Sequence, residues 1–247
     1  MLVISQQNCI REDIASKYEI LSDIKPMNTL FGEYEGTVAK NKILKLCQTY
    51  SNTRKIRPDG NCFYRAALFG AIEASFRVDQ SEAFRDKMKE IADGCKRQGY
   101  DSFAIDEFHE LVDEQIMDAQ TKSNACESIR TLEASMKDPS IDGYFVAFAR
   151  CACGAALKEW HDDYASFLPQ EFPSMESFCR NEVDPMYKDA DQIQIVALAR
   201  ILGIHLFIAY VDQSEGDEAN IIEFGDTSSP IKVHMVYKPG HYDLIYA

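Results

Sequence analysis

The sequence is short of positive charge. Its 26 Lys and Arg residues are outnumbered by 40 Asp and Glu residues, which leaves a formal net charge of −14. Domains that bind nucleic acid carry basic patches, so this balance argues against a nucleic-acid partner. An acidic surface suits a protein partner of basic or mixed charge, although acidic surfaces more often serve only to keep a protein soluble.

Long apolar runs are also missing. No stretch reaches the roughly 18 uninterrupted apolar residues that a membrane span requires, so we expect no membrane partner. The first eight residues have no basic region and only a short apolar run, which is not typical of a secretory signal. We therefore expect a protein that is not secreted and that is located in the cytoplasm, with the nucleus also open to it.

Paired cysteine motifs are absent, although cysteine itself is not rare. The sequence contains eight cysteines and no C-x-x-C pattern, and in an intracellular protein most of them are expected to be reduced thiols. Cys151 and Cys153 are two apart in a helical pattern, so their side chains should point to different sides of the helix. The cysteine pattern therefore predicts no metal site, and the sequence indicates no cofactor.

Glycine and proline are few, with 12 and 8 residues in a chain of 247, which is long enough to bury a sizeable core. Apolar residues recur at helical spacing through most of the chain, up to a helix that Gly203 should end. Four strand-like runs follow, at 204–211, 221–224, 233–237 and 241–246. This order predicts an α+β fold, with a helical region packed on a small, mostly antiparallel sheet.

The first 30 residues differ from the rest, and we interpret residues 1–30 as an N-terminal extension. Apolar residues from Ile10 to Leu21 are spaced as in a short amphipathic helix, which residues 22–26 should end. Residues 31–247 are then expected to form a single domain.

The stretch around Cys62 carries the strongest chemical signal. Three turn-forming residues, Asp59, Gly60 and Asn61, precede Cys62, and apolar residues recur at helical spacing after it. The pattern therefore places Cys62 at the start of a helix, where unpaired N–H groups and the positive end of the helix dipole favour a thiolate. Exposed N–H groups of the turn can also hold a developing oxyanion. The alternative interpretation is that Cys62 simply packs in the core, as free cysteines often do.

Asp59 itself has two interpretations. It can stabilise the turn as an Asx residue or as a helix cap, or it can shape the turn that holds an oxyanion. Direct contact between Asp59 and the sulfur is not expected, because a carboxylate beside a thiolate would disfavour the thiolate.

Among the five histidines, His241 has the most favourable context. It follows a Lys-Pro-Gly turn and opens the last predicted strand, and Asp243 lies two residues later on the same face of that strand. Asp243 can therefore hold one imidazole nitrogen while the other nitrogen faces a thiol, as a nucleophilic cysteine requires. The other four histidines are interpreted as structural or surface residues, and His234 is expected to face outward from its strand.

Five segments of the chain together match one protein family. They are RPDGNCFYRA at 57–66, DEFH at 106–109, EVDPM at 182–186, DQIQIVALA at 191–199 and PGHYDLIY at 239–246. This combination resembles the otubain branch of the ovarian-tumour-domain deubiquitinases, over nearly the whole chain. The resemblance implies a papain-like cysteine protease fold with a single otubain-like catalytic domain. It also implies an isopeptidase, which hydrolyses the bond between the C-terminal glycine of ubiquitin and a lysine amine.

The resemblance also implies a role for each motif residue. By position, Cys62 is the nucleophile, His241 is the general base and then the general acid, and Asp243 orients the imidazole. The turn at 59–62 matches the oxyanion loop of the family. The expected substrates are ubiquitin conjugates and polyubiquitin, and ubiquitin-conjugating enzymes are a further class of partner.

The role of three further residues is open, and two other functions are possible alternatives. Glu182, Asp184 and Pro185 lie on a loop that the family places near the active site, so they are candidates for contact with ubiquitin. The alternative for this loop is a set of solvated charges. The protein as a whole can also be a regulator that binds ubiquitin and conjugating enzymes with catalysis secondary, or a protease for a different ubiquitin-like modifier.

Overall fold

The computed structural model describes residues 2–33 and 37–247 of the chain. Within these ranges, no helix has the length and apolarity of a membrane span. The α-helices are α1 (Leu2–Lys17), α2 (Thr37–Leu46), α3 (Cys62–Arg77), α4 (Ser81–Arg97), α5 (Ser102–Gln120), α6 (Ala125–Met136), α7 (Pro139–Glu159), α8 (His161–Tyr164), α9 (Met175–Phe178) and α10 (Gln192–Leu202). The strands are β1 (Lys25–Pro26), β2 (Asn52–Arg54), β3 (His205–Tyr210), β4 (Asn220–Gly225), β5 (Lys232–Lys238) and β6 (His241–Tyr246). Short helical segments of other types occur at Met27–Gly32, Ala165–Phe167 and Cys179–Val183.

These strands form one sheet with the order β1-β2-β6-β5-β3-β4. Strands β3 and β5 are parallel, and the other neighbouring pairs are antiparallel. The prediction of an α+β fold with a mostly antiparallel sheet is therefore confirmed. The sequence pattern does not reveal β1 and β2, because strands of 2 and 3 residues are too short to show an alternation.

Helix α3 runs through the centre of the molecule. Buried residues make up 14 of its 16 positions, and a helix that is apolar on most sides belongs in a core. Gly70 lets this helix touch the sheet, because a Cβ at that position would lie only 2.9 Å from Val233 Cγ1 and 3.1 Å from Leu244 Cδ2. Close packing on β5 and β6 fixes the position of α3 on the sheet.

Helix α3 and strand β6 run side by side in the same direction. The middle of α3 touches Leu244, and Glu73, nearer its end, accepts a hydrogen bond of 2.9 Å from the Tyr246 hydroxyl. The first residues of the two elements are Cys62 and His241. The parallel course therefore brings these two residues to the same end of the pair.

Helix α7 is a second long core helix. Asp138 caps it by accepting a hydrogen bond of 2.9 Å from the Ser140 N–H, and Pro139 occupies its first turn. The helix also carries two buried charged residues, Asp142 at 6% and Arg150 at 0% exposure. Charged side chains are almost never fully buried without partners, and both find theirs near the start of α3.

The N-terminal helix ends earlier than the apolar spacing predicts. Helix α1 ends at Lys17, whereas the predicted helix continued to Leu21. Leu21 instead forms an isolated antiparallel bridge with Ile56, and the Ser22 N–H donates to the Lys55 carbonyl at 2.9 Å. The prediction for Leu21 was wrong because this segment is extended and pairs with the chain that leads into the turn before α3.

The boundary placed after residue 30 stays a prediction. Part of the predicted extension belongs to the core, since Ile20, Met27 and Leu30 are each at most 2% exposed. In contrast, Ile10 and Tyr18 are about half exposed, at 53% and 50%. Part of the segment 20–30 is therefore packed into the core, although Ile24 within it is 42% exposed.

Candidate active site

The turn before α3 has the conformation that its residues favour. The Asp59 carboxylate accepts a hydrogen bond from the Asn61 N–H, with Oδ1 3.0 Å from the nitrogen, which forms an Asx turn. Gly60 has a φ of +79°, a left-handed conformation that glycine adopts without strain. A side chain would not fit there either, because a Cβ on Gly60 would lie 2.5 Å from the Tyr187 carbonyl oxygen. The predicted turn is present, and it leads directly into Cys62.

Cys62 is the first residue of α3 and is only 3% exposed. The first N–H groups of a helix have no acceptor within the helix, and the Asn61 side chain does not cap those of α3. The Asn61 carbonyl accepts a hydrogen bond of 3.0 Å from the Arg65 N–H. Because the peptide between Asn61 and Cys62 is trans, the Cys62 N–H points the opposite way, out of the helix start. The helix therefore presents an N–H donor beside the sulfur.

His241 opens β6 and is held by the carboxylate two residues later. Its Nε2 lies 2.8 Å from Asp243 Oδ1, and the same oxygen accepts a hydrogen bond of 2.8 Å from the Ile56 N–H. Both side chains are buried, at 6% and 2% exposure. The other ring nitrogen, Nδ1, has no hydrogen bond of good geometry to any described group, and the Cys62 thiol lies close enough to the ring to interact with it. The structure therefore brings Cys62, His241 and Asp243 together.

The surroundings of His241 favour its protonated form. Burial alone lowers the pKa of His241, but the hydrogen bond to Asp243 and the interaction with Cys62 outweigh burial and raise the pKa to about 9. An imidazole with this pKa holds a proton at neutral pH. A protonated imidazole beside a cysteine is the arrangement in which a thiolate is stabilised and a leaving group can be protonated.

Other buried or half-buried cysteines have different surroundings. Burial raises the pKa of Cys95, and it raises the pKa of Cys151 and of Cys179 to about 12, so these thiols stay protonated and unreactive. All eight cysteines are free thiols. Within the described residues, no three His, Cys, Asp or Glu side chains are grouped as a metal site would need.

Asp59 is held from behind by a buried arginine. The Arg65 guanidinium donates to both Asp59 oxygens, at 3.0 and 2.8 Å, and to both Asp142 oxygens, at 2.6 and 2.9 Å. It also donates to the Arg57 carbonyl at 3.3 Å. Burial raises the pKa of Asp142, an effect that its bonds to Arg65 oppose. Asp59 is therefore both a turn former and one end of a buried ion-pair network, which the sequence analysis did not find.

Arg150 holds the same turn from another side. Its Nη2 donates to the Gly60 carbonyl at 2.9 Å and to Asn61 Oδ1 at 2.7 Å, and its guanidinium lies 4.1 Å above the Tyr64 ring. Arg150 is not among the residues predicted from the sequence. A single charge within the small and apolar residues of the α7 pattern is a signal that could have drawn attention to it, because such a charge must find buried partners.

Two of the predicted ubiquitin-contact residues, Glu182 and Asp184, bond to groups other than the triad. Glu182 pairs with Lys188, whose Nζ is 3.1 Å from each carboxylate oxygen. Asp184 points into the helical region, where it accepts a hydrogen bond of 2.7 Å from the Tyr100 hydroxyl and where burial raises its pKa. Pro185 is half-buried. Contact of these residues with ubiquitin stays a prediction, and the inward direction of Asp184 does not favour it for that residue.

His234 does not face outward into solvent, and that prediction was wrong. Its ring stacks on Phe207 with 4.3 Å between centroids, and its Nδ1 lies 3.0 Å from the Tyr50 hydroxyl. Burial, with a smaller contribution from Lys232, lowers the pKa of His234 to about 4. The segment that ends at Tyr50 covers this face of the sheet, so His234 is a neutral packing residue there.

Two comparisons of sequence agree with the motifs. The family model described as Peptidase C65 Otubain matches residues 13–247. The chain is 33% identical over 250 residues to "Ubiquitin thioesterase OTUB1" of Homo sapiens, covering 99% of this chain and 89% of that protein. It is 27% identical over 263 residues to "OVARIAN TUMOR DOMAIN-containing deubiquitinating enzyme 1" of Arabidopsis thaliana, covering 98% of this chain and 86% of that protein.

The fold is also similar to that of solved structures. One is a complex of h/ceOTUB1 with ubiquitin aldehyde and UBC13~Ub, with a TM-score of 0.88 at 26% identity, covering 99% of this chain and 97% of that chain. A second complex, of h/ceOTUB1 with ubiquitin aldehyde and UBCH5B~Ub, gives a TM-score of 0.89 at 26% identity, covering 99% of this chain and 96% of that chain. The resemblance drawn from the five motif segments and the papain-like fold that it implies are therefore confirmed.

Proposed function

The chain belongs to the otubain family of peptidases, and we propose that it is a deubiquitinating cysteine isopeptidase. Its reaction is the hydrolysis of the bond between the C-terminal glycine of ubiquitin and a lysine amine, in polyubiquitin or in other conjugates. One observation carries the proposal: Asp243 holds Nε2 of His241, while Cys62 lies beside the ring at the start of a buried helix.

The first step forms a bond between Cys62 and the substrate. The proton that leaves the Cys62 thiol is held by His241 at Nδ1, and the thiolate attacks the isopeptide carbonyl carbon. The carbonyl oxygen becomes negatively charged and needs donors that are already in place. The Cys62 N–H is such a donor, because the Asn61 carbonyl is bonded to Arg65 and turns this N–H out of the helix.

The second step releases the lysine and then the ubiquitin. As the tetrahedral intermediate collapses, the C–N bond breaks and His241 donates its proton to the departing amine. The remaining thioester between Cys62 and the ubiquitin glycine is then hydrolysed by water, from which His241 accepts a proton. The pKa of about 9 for His241 suits its role as the proton donor to the amine, since the imidazole is protonated at neutral pH when the amine leaves.

Asp243 and Asp59 act through their neighbours in this scheme. Asp243 orients the imidazole and favours its charged form, with the Ile56 N–H fixing the carboxylate in turn. Asp59 does not bond to the sulfur in the described structure. Its oxygens are occupied by Asn61 and Arg65, so its contribution is to hold the turn in place.

The direct test is replacement of the nucleophile. Cys62→Ala is expected to abolish cleavage of a panel of diubiquitins while leaving ubiquitin binding intact, because the change removes one sulfur atom at a buried site. Cys126→Ala is the matched control, since Cys126 is exposed. This variant should cleave diubiquitin as the wild type does. Cleavage that persists in Cys62→Ala would remove the basis of the proposal.

A second candidate function is regulation of ubiquitin conjugation by binding, with catalysis secondary. Two observations favour it. The two similar complexes contain UBC13~Ub and UBCH5B~Ub in addition to ubiquitin aldehyde. In this chain, the N-terminal helix touches the segment beside the turn, with the Arg11 guanidinium 4.1 Å from the centre of the Tyr187 ring. Inhibition of a reconstituted conjugation reaction by Cys62→Ala would support this function, and the absence of inhibition would leave hydrolysis alone.

The location of the protein stays a separate proposal. We place it in the cytoplasm, with the nucleus also open to it, on the basis of its free thiols. Microscopy of a tagged full-length chain tests this placement.

A further inference from the structure

Arg150 is a buried charge without a carboxylate partner among its hydrogen bonds. It lies in the middle of α7 at 0% exposure. Its guanidinium donates only to carbonyl-type oxygens within the described chain, and its Nε has no partner there. An unpaired buried donor costs stability, so the burial of an arginine at this position calls for an explanation beyond core packing.

The oxygens that Arg150 binds belong to two segments that are far apart in the sequence. Nη2 lies 2.9 Å from the Gly60 carbonyl oxygen and 2.7 Å from Asn61 Oδ1, both in the turn before Cys62. The same nitrogen lies 2.7 Å from the Lys188 carbonyl oxygen, and Nη1 lies 2.9 Å from that of Val183. One guanidinium therefore ties the turn to the segment 183–188.

The two segments also contact each other directly. The Tyr187 N–H donates to Asn61 Oδ1 at 2.8 Å, and the Tyr187 carbonyl fills the space where Gly60 has no side chain. Tyr187 has a φ of +68°, a strained conformation for a residue other than glycine. Such a conformation persists only where the surroundings impose it, and the bonds around Arg150 are those surroundings.

The contacts of Arg150 fix the peptide plane that precedes the nucleophile. The peptide between Gly60 and Asn61 is held at its carbonyl by Arg150 and at its N–H by Asp59. With both ends bonded, this plane cannot rotate without breaking a buried hydrogen bond. The next peptide carries the Cys62 N–H, whose direction depends on the plane before it.

We propose that Arg150 is a positioning residue for the hydrolysis, which sets the direction of the oxyanion donor at Cys62 by fixing the Gly60–Asn61 peptide against the segment 183–188. This inference rests on the proposed isopeptidase function. Arg150 does not touch the substrate or the reacting atoms, and it acts through the turn. It should affect the stabilisation of the oxyanion more than the reactivity of the thiol, because His241 lies on a different element and is held by Asp243.

The variant Arg150→Lys separates these effects. Lysine keeps the charge and most of the stem, but its single ammonium group lacks the rigid planar fork with which Arg150 reaches Val183 through one nitrogen and the turn and Lys188 through the other. We expect kcat for a ubiquitin C-terminal substrate to fall roughly 10- to 100-fold with KM unchanged, as for a small misplacement of catalytic groups. Inhibition by ubiquitin aldehyde, whose carbonyl oxygen occupies the oxyanion position after addition of Cys62, should weaken by a similar factor. Alkylation of Cys62 by iodoacetamide, which needs no oxyanion donor, should keep its wild-type rate.

Arg54→Lys is the matched control for the loss of a buried guanidinium. Arg54 is also 0% exposed, and it donates to the Ser22 carbonyl and to Glu133, away from the turn. Its replacement should lower the melting temperature to a similar extent and leave kcat unchanged. An equal loss of kcat in both variants would overturn the proposal, because the effect would then be one of general stability.

Two further outcomes are decisive. Unchanged kcat in a folded Arg150→Lys variant, or a loss of iodoacetamide reactivity that parallels the loss of kcat, would contradict a role in positioning the oxyanion donor. Amide hydrogen exchange of Tyr187 and Asn61 should accelerate in Arg150→Lys and not in Arg54→Lys. If the wild-type chain hydrolyses no ubiquitin substrate, the proposed function fails, whereas the exchange measurement still decides whether Arg150 holds the two segments together.

Discussion

The two sides of the candidate triad are held in different ways. On the base side, His241 and Asp243 are two residues apart on one strand, and a single hydrogen bond of 2.8 Å joins them. On the nucleophile side, the turn before Cys62 is held by two buried arginines. The network of Arg65 reaches Asp142, 77 residues away, and Arg150 binds Asn61 across 89 residues.

This difference predicts that substitutions on the two sides change catalytic rate and folding stability to different extents. The base side depends mainly on two neighbours on one strand, so its substitutions should change rate and pH dependence more than they change stability. The nucleophile side depends on buried charges between distant segments, so its substitutions should change rate and stability together. The following predictions test this distinction, beginning with the largest effect.

Replacement of His241 should have the largest effect on rate. His241→Gln removes the general base and acid, for which we expect kcat/KM to fall roughly 10²- to 10⁴-fold. The melting temperature at neutral pH should change less than it does in variants of the nucleophile side. His161→Gln is the control, because the His161 side chain is 61% exposed. Activity within the wild-type range in His241→Gln would assign the base to a different residue.

Loss of the Asp59 carboxylate should affect both stability and turnover. Asp59→Ala leaves the buried Arg65 guanidinium with one of its two carboxylates, which should lower the free energy of unfolding by about 3 kcal/mol. It also removes the Asx bond to Asn61, so turnover of the folded variant should fall as well. Chemical denaturation and steady-state kinetics measure the two effects.

Asp142→Ala is the matched variant for this prediction. It unpairs the same arginine at its other end without touching the turn, so its stability loss should be similar while its turnover stays closer to the wild type. Equal turnover in the two variants would mean that Asp59 is only one end of a structural ion pair.

Asp243→Asn should have a smaller effect on rate and a clear effect on pH dependence. The amide oxygen can still accept from Nε2, so orientation partly survives, and we expect kcat to fall about 10-fold. Without the carboxylate, the pKa of His241 should drop from about 9 towards its ordinary value of 6.5. The basic limb of the pH–rate profile should therefore move to lower pH. A basic limb that stays near pH 9 would show that another group sets it.

Replacement of His234, on the neighbouring strand, should have the smallest effect. The fold lowers the pKa of this histidine, whereas it raises the pKa of His241. Burial lowers the pKa of His234 to about 4, so the fold favours the neutral ring. Its contribution to stability is complete above pH 6.5 and is lost as the pH falls towards 4. Allowing for its partial exposure, we expect this loss to be about 1 to 2 kcal/mol. His234→Gln should flatten the unfolding free energy between pH 4 and 6.5, and an unchanged slope would contradict the assignment.

The same contrast explains what the sequence could and could not predict. The pairing of His241 with Asp243 follows from an alternation that is visible over three residues, and the start of α3 follows from the turn formers before Cys62. The roles of Arg65 and Arg150 depend on partners that only the fold brings near. A local pattern carries no information about such partners.

Other departures of the structure from a local preference have the same physical origin. Leu21 has helical spacing but is extended, because it pairs with Ile56 across the chain. Asp184 has the composition of an exposed acidic loop but turns inward to Tyr100. In each case a long-range contact outweighs a local preference.

One measurement tests the proposed triad most directly. Ubiquitin that carries a thiol-reactive group at its C-terminus is incubated with the wild-type chain, together with equivalent probes made from other ubiquitin-like modifiers, and the adduct is mapped by mass spectrometry. We expect a single adduct on Cys62, formed with the ubiquitin probe and absent in Cys62→Ala. An adduct on any of the other seven cysteines, labelling that persists in Cys62→Ala, or a reaction only with a different modifier would contradict the proposal.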